Sequence, residues 1–164
     1  MRTIHLNRRQ ARMLRENLTQ NREGYDHLDH RRMDRLADKL NELQGEYGER
    51  MAALLREDRE VNRDKAKTVL AGGNTEKHDA QILLNFYEFQ DLNEEAETIP
   101  VDFVVEDGDY NLIRDKVDSQ TKWIATDDVR KSVSGMLDAV ANAEQGEIDG
   151  SGEQGKKVKQ FRRK

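Results

Sequence analysis

The chain contains no cysteine and a single proline among its 164 residues. The absence of cysteine excludes disulfide bonds, catalytic thiolates and metal sites with thiolate ligands. No apolar run reaches the roughly 18 residues that a transmembrane helix requires. The first residues also lack the apolar core of a secretion signal. We therefore expect a cytoplasmic protein, or one packaged in an assembly built in a cytoplasm.

Apolar residues are also scarce. Hydrophobic residues make up 35% of the chain and charged residues 37%, whereas a typical domain is about 25% charged and about 45–50% apolar by a count that includes glycine. This composition is typical of chains that are partly disordered, that form elongated helices, or that complete their core against a partner. The length predicts one domain, with two small lobes possible.

The charges that are present are sorted along the chain into three blocks. Residues 1–35 contain nine arginines and no lysine against five acidic residues. Residues 36–155 contain 13 basic and 28 acidic residues, and residues 156–164 contain six basic residues and no acidic one. Two basic ends around an acidic middle indicate that the ends contact acidic surfaces or phosphates.

Local patterns predict a short strand at each end of a helical middle. Residues 3–6 are typical of a strand, and Asn7 with Gln10 forms a capping-box pattern that begins a helix reaching to about Arg22. Residues 99–105 alternate between apolar and polar side chains, as a half-buried strand does. Because a lone strand leaves its backbone groups unpaired, we expect residues 3–6 to pair with part of 99–105.

The longest predicted helix follows and extends to residue 70. Its apolar residues show coiled-coil spacing, interrupted by Gly45 and Gly48. Two interpretations stay open: an intermolecular coiled coil, and an antiparallel helical hairpin packed on the first helix. The hypothesis of self-association assigns six residues to this seam: Met33, Leu36, Leu40, Leu43, Tyr47 and Leu54.

A helix from Thr75 holds much of the aromatic content and is expected to anchor the core through Ile82, Leu83, Phe86, Phe89 and Leu92. Further helices are expected around residues 110–117 and 126–143. The predicted fold class is therefore mainly α: an elongated helical hairpin or coiled-coil-like body, a minimal two-stranded β element and a disordered basic C-terminal tail. The predicted segments are 1–71, 75–143 and 144–164.

The glycine-rich segment 150–157 resembles dinucleotide-binding and phosphate-binding loops in its glycine and lysine spacing. Those loops require a strand before them and a helix after them, because backbone amides and a helix N-terminus hold the phosphates. The sequence predicts neither element here. We interpret the segment as a linker.

Two groups of acidic and histidine residues have metal-like spacing. Asp107, Asp109, Asn111 and Asp118 match oxygen ligands of a calcium loop, but Leu112 stands where the turn requires glycine. His27, His30, Asp26 and Asp34 share a helix with several arginines, which favours an ion-paired surface. With no nucleophile near a base, the sequence predicts no catalytic residue, no metal site and no cofactor, and hence no enzyme.

The basic ends are the candidate binding residues. Arginine suits carboxylate and phosphate groups through its planar guanidinium. The candidates lie on one stripe of the first helix and in the tail: Arg8, Arg12, Arg15, Arg22, Lys156, Lys157, Lys159, Phe161, Arg162, Arg163 and Lys164.

The resulting hypothesis is a non-enzymatic structural or assembly protein. It would self-associate as a homo-oligomer through its helices and dock on an acidic protein partner, in the general manner of phage scaffolding or minor virion proteins. The alternative is a nucleic-acid-binding accessory protein that uses the arginine stripe and the tail. A solvated basic tail without a partner is the third interpretation. No membrane contact is expected.

Overall fold

A computed structural model describes residues 1–119 and 127–145. The predicted mainly helical fold is confirmed. In chain order the elements are β1 (Arg2–Asn7), α1 (Arg8–Thr19), α2 (His27–Gln44), α3 (Glu46–Leu70), α4 (Glu76–Glu97), β2 (Pro100–Val105), α5 (Asp107–Asp118), α6 (Asp127–Ala141) and β3 (Glu144–Gln145). Within the described residues, no helix is both long and apolar enough to span a membrane.

The predicted strand pairing is confirmed. Strand β1 lies in the middle of an antiparallel sheet in the order β2-β1-β3. Ile4 stands opposite Phe103, and both side chains are buried. The expected capping box then begins α1: the Asn7 side chain accepts a hydrogen bond from the Gln10 amide at 2.8 Å, and the Gln10 side chain accepts one from the Asn7 amide at 3.0 Å.

The main hydrophobic core takes residues from both halves of the chain. It joins Ile4 and Leu14 from the first half to Phe103, Ile113 and Met136 from the second. The segments 1–71 and 75–143 therefore share one core. The expected boundary between them is the turn that joins α3 to α4. Thr75 is the N-cap residue of α4, but its side chain accepts no capping hydrogen bond; the Asn74 side chain instead accepts one from the Glu76 amide at 2.8 Å.

The single helix predicted to extend to residue 70 is two helices that meet at Gly45, one of the two glycines that interrupt its apolar spacing. This residue has φ +56° and ψ −139°, a conformation that favours glycine, and its amide bonds to the Glu42 carbonyl at 3.1 Å. A Cβ added at Gly45 would lie 2.9 Å from Nη2 of Arg8.

The coiled-coil seam assigned to self-association lies inside one molecule. The residues from α2 are buried in the main core or, for Leu43, packed against it: Met33, Leu36, Leu40 and Leu43. Tyr47 and Leu54 of α3 are buried in a second cluster with Met51 and, from α4, Leu92 and Ala96. Since these side chains are already covered by α1 and α4, they offer a second copy almost no surface.

Candidate interaction surfaces

Helices α3 and α4 form an antiparallel hairpin with a continuous register. At its base Tyr47 donates a hydrogen bond to the Asn93 side chain at 2.8 Å, and towards its tip the Lys65 ammonium lies 2.7 Å from the Asp79 carboxylate. The hydrogen bond from Lys65 lowers the pKa of Asp79 from its ordinary value. The apolar cluster that holds the hairpin together occupies only the base.

The interface between the two helices becomes polar away from the base. Asn85 of α4 is buried; its amide nitrogen donates to Asp58 at 3.0 Å, and its oxygen accepts from Gln81 at 2.8 Å. A buried amide with both partners in place fixes the register of two helices, but it adds less stability than an apolar contact would. The outer half of the hairpin is thus held by few apolar contacts.

Large apolar side chains lie on the outside of the hairpin, and we call this surface the α4 face: Leu83, Leu84, Phe86 and Tyr87. Each is between 51% and 62% exposed. The rings of Phe86 and Tyr87 meet edge to face at 5.7 Å between centroids. The prediction that this segment anchors the core is therefore wrong for Leu83 and Phe86, and of the predicted set only Leu92 is fully buried.

Helical geometry explains the error. Neighbouring residues on an α-helix point about 100° apart, so the adjacent pairs 83–84 and 86–87 cannot all face α3. Asn85 takes the inward position between them. The signal was present in the sequence, because apolar residues at 82, 83, 84, 86, 87 and 89 surround the helix instead of forming one stripe. A two-helix hairpin can cover one side of α4 only.

Acidic residues border the α4 face. Helix α4 contains seven acidic residues and one lysine. Glu88, Asp91 and Glu94 are exposed, and none of them forms an ion pair with another described residue. Glu88 lies one turn after Leu84, and Asp91 one turn after Tyr87, so these carboxylates adjoin the apolar side chains. The surface is apolar at its centre and negatively charged at one end.

The predicted arginine stripe is divided in the structure, because α1 ends at Thr19 and Arg22 lies beyond it. Arg22 donates to the Leu18 carbonyl at 2.8 Å and to Asp34 at 2.6 Å, and Arg12 pairs with Glu16 at 3.1 Å. Arg8 lies against Gly45. A guanidinium that is ion-paired with a carboxylate of its own chain is less available to bind a phosphate group. The four arginines do not form one continuous cationic surface.

Two of these arginines line a groove of about 510 Å³ between α1 and the α2–α3 break. Arg12 and Arg15 face Gly45, Gly48 and Leu55 across it. Glu42 and Glu49 also line this groove. Its charge is therefore mixed, and the buried Gln44 in its lining donates a hydrogen bond to the Asn41 side chain at 3.2 Å.

Other arginines of the first block connect distant elements. Arg9 is buried and lies 2.6 Å from the Glu97 carboxylate, which also accepts a hydrogen bond from Ser132 at 2.7 Å. Arg35 binds both carboxylate oxygens of Asp109, at 3.0 and 2.9 Å. The first basic block thus neutralises acidic residues of α4 and α5.

The residues with metal-like spacing have other roles. Asp109 is held by Arg35, Asp26 caps α2 by accepting from the Asp29 amide at 2.8 Å, and Nε2 of His30 lies 3.1 Å from the Arg22 carbonyl oxygen. Among the described residues, no cluster of three or more histidine and acidic side chains has a geometry that could hold a metal ion.

The remaining candidates from the sequence lie outside the described residues. They are the glycine-rich segment 150–157 and the tail residues Lys156, Lys157, Lys159, Phe161, Arg162, Arg163 and Lys164.

Comparison with known proteins returns no matching family model, no matching curated protein and no matching solved structure.

Proposed function

We propose that this protein is a non-enzymatic interaction protein that docks a partner through the α4 face. The observation that supports the proposal is the group of four large apolar side chains, each about half exposed or more, on one helix. Single-chain proteins rarely leave a contiguous apolar patch larger than a few hundred Å² uncovered, and such patches commonly mark binding sites. Covering four half-exposed side chains would contribute roughly 1 kcal/mol each.

The position of the α4 face suits this role. It lies on the part of the hairpin beyond the apolar cluster at the base, where α3 and α4 contact each other through polar groups. The last residues of α3, Val69 and Leu70, are exposed as well. In a projecting hairpin of this kind, the apolar outer side is open to be covered by another molecule.

Within this proposal the protein acts in assembly, as a scaffolding or minor virion protein does, and works in a host cytoplasm or in a virion. The partner is a protein. The basic segment 156–164 provides a second docking element, because six positive charges with Val158 and Phe161 among them suit an acidic protein surface.

Crosslinking from the α4 face tests the proposal. A photo-reactive amino acid is placed at Phe86 or, as the matched control, at Leu28, which is 66% exposed on α2. The proteins are expressed in the native host, irradiated, and the products identified by mass spectrometry. We expect a discrete protein adduct from position 86 and none from position 28. The absence of any adduct from position 86 would overturn the proposal.

Nucleic-acid binding is the second candidate, and the net charge of +6 in residues 156–164 is the observation that favours it. Against it stands the intramolecular use of Arg9, Arg12, Arg22 and Arg35. Affinity for DNA or RNA that falls by orders of magnitude between low and moderate salt would support this function. No binding at low salt would exclude it.

A further inference from the structure

The α4 face specifies the chemistry of its partner. Leu83, Leu84, Phe86 and Tyr87 require apolar side chains to cover them. The unpaired carboxylates of Glu88, Asp91 and Glu94 at the border favour positive charge. The complementary ligand is therefore a basic segment with a few apolar anchors.

The same face of a second copy does not meet this requirement. In antiparallel pairing of two α4 helices centred on Asn85, Asp79 would lie near Asp91 of the partner, and Glu76 near Glu94. In parallel pairing each acidic residue would lie beside its own counterpart. Both arrangements place like charges together on a helix that already has seven acidic residues and one lysine, and such contacts disfavour association.

The chain itself contains a segment of the required chemistry. Residues 156–164 read Lys-Lys-Val-Lys-Gln-Phe-Arg-Arg-Lys, with six positive charges and no acidic residue. Val158 and Phe161 are three residues apart and supply two apolar anchors. Resting on the proposed function of the α4 face, we propose that this face binds the basic segment 156–164 of a second copy of the chain.

The sheet topology favours a second copy over the same molecule. Strand β3 pairs with Arg2 and Thr3, whereas α4 leads into β2 at the opposite end of β1, where Pro100 pairs with Asn7. Strand β1 is about 17 Å long. Ten residues, the number between β3 and the basic segment, can span at most about 33–36 Å. The sheet and the ten residues of α4 between its end and the face together measure about 32 Å along their axes, so ten residues would have to be almost fully extended to bring residue 156 to the face of the same molecule.

Contact between a face and a segment at different places on the molecule is heterologous. Each copy then has one free face and one free segment, so association continues from copy to copy unless the geometry closes a ring. The proposal thus predicts oligomers of increasing size instead of a single dimer.

Full-length variants separate the two halves of the contact. The face variant is L83Q with F86Q, the segment variant is V158Q with F161Q, and the control is L28Q, which changes an exposed leucine on α2. Glutamine is chosen because it is a good helix former. Circular dichroism checks that helicity is unchanged. Mass is then measured by sedimentation velocity over a wide range of concentrations.

We expect the mass of the wild-type and control proteins to increase with concentration, while the face and segment variants each stay monomeric. An equimolar mixture of the two variants should form one-to-one dimers and nothing larger, since each supplies the half that the other lacks. A monomeric wild-type protein, a segment variant that associates normally, or a mixture that stays monomeric would each overturn the inference. An adduct between Phe86 and a different protein would do so too, while leaving the proposed function intact.

Discussion

At the scale of single residues, Lys116 is the most unusual residue of the core, because it is a buried lysine. It is 1% exposed on the face of α5 that also carries Ile113 and Val117. Burial lowers the pKa of its ammonium group, and the nearby Arg22 guanidinium lowers it further. No described carboxylate pairs with it. The spacing of residues 113, 116 and 117 places Lys116 on the apolar side of the helix. A charged side chain, in contrast, is typical of the protein surface.

Replacing this lysine should therefore stabilise the protein. An unpaired buried polar group costs about 1–3 kcal/mol, so we expect Lys116→Met to raise the free energy of unfolding at pH 7 by about 1 kcal/mol. Urea unfolding measures the change. The exposed Lys131→Met serves as the control and should change stability little. A destabilised K116M protein would contradict this account of the site.

The pH dependence follows from the same group. Because folding lowers the pKa, the unfolded chain holds the proton more tightly than the folded one. The free-energy cost of burying the charged ammonium group is complete below the folded-state pKa. It is relieved as the pH rises towards the ordinary pKa of 10.5. Wild-type stability relative to that of K116M should therefore increase through this alkaline window. Parallel pH profiles of the two proteins would contradict the assignment.

At the scale of elements, the hairpin α3–α4 combines an apolar base with a polar outer half. Local openings start where few apolar contacts must be broken. The outer half, where Asp58 meets Asn85 and Lys65 meets Asp79, should open most readily.

Hydrogen exchange checks this directly. We expect amides of residues 62–66 and 78–82 to exchange faster than those of α1 and the buried part of α2. Replacing Asp58 and Asn85 together by leucine should slow exchange there by about tenfold, the equivalent of about 1.4 kcal/mol. Glu60→Leu, on an exposed position of the same helix, is the control. Equal slowing by the control would show that any added leucine has this effect.

Local signals predicted the elements well. The apolar residues around α4 showed that they could not all be buried, but non-local contacts decide which of them are exposed. Asn7 and Gln10 fixed the start of α1, and alternation located β2. At Gly45 the backbone lies close to the Arg8 side chain, which is far along the chain. The outward direction of Phe86 depends on the register with α3, which Asn85 and Asp58 set across a turn. Neither contact can be read from a short window of sequence.

At the scale of the whole molecule, strand β1 links the two halves of the chain. Ile4 is fully buried between elements from both. Ile4→Ala should therefore destabilise the whole protein by about 2–5 kcal/mol, with Tm falling by roughly 2–4 °C for each kcal/mol. Val104→Ala, on an exposed position of β2, should cost much less.

Thermal unfolding followed by circular dichroism gives Tm, and hydrogen exchange shows which helices open. A single transition in which α1 and α5 lose protection together is expected from the shared core. Selective loss of protection in α1 alone would contradict the view that the halves form one cooperative unit.

Because β1 is the central strand of the sheet, both of its partner strands are synthesised after it. Its partner β2 leaves the ribosome about a hundred residues after it, and β3 follows later still. At a translation rate of roughly 5–20 residues per second, about 5–20 seconds pass between the synthesis of β1 and the synthesis of β2. During that interval both of its edges are open to strands from other chains. The nascent chain, more than the finished protein, is then the form most exposed to aggregation.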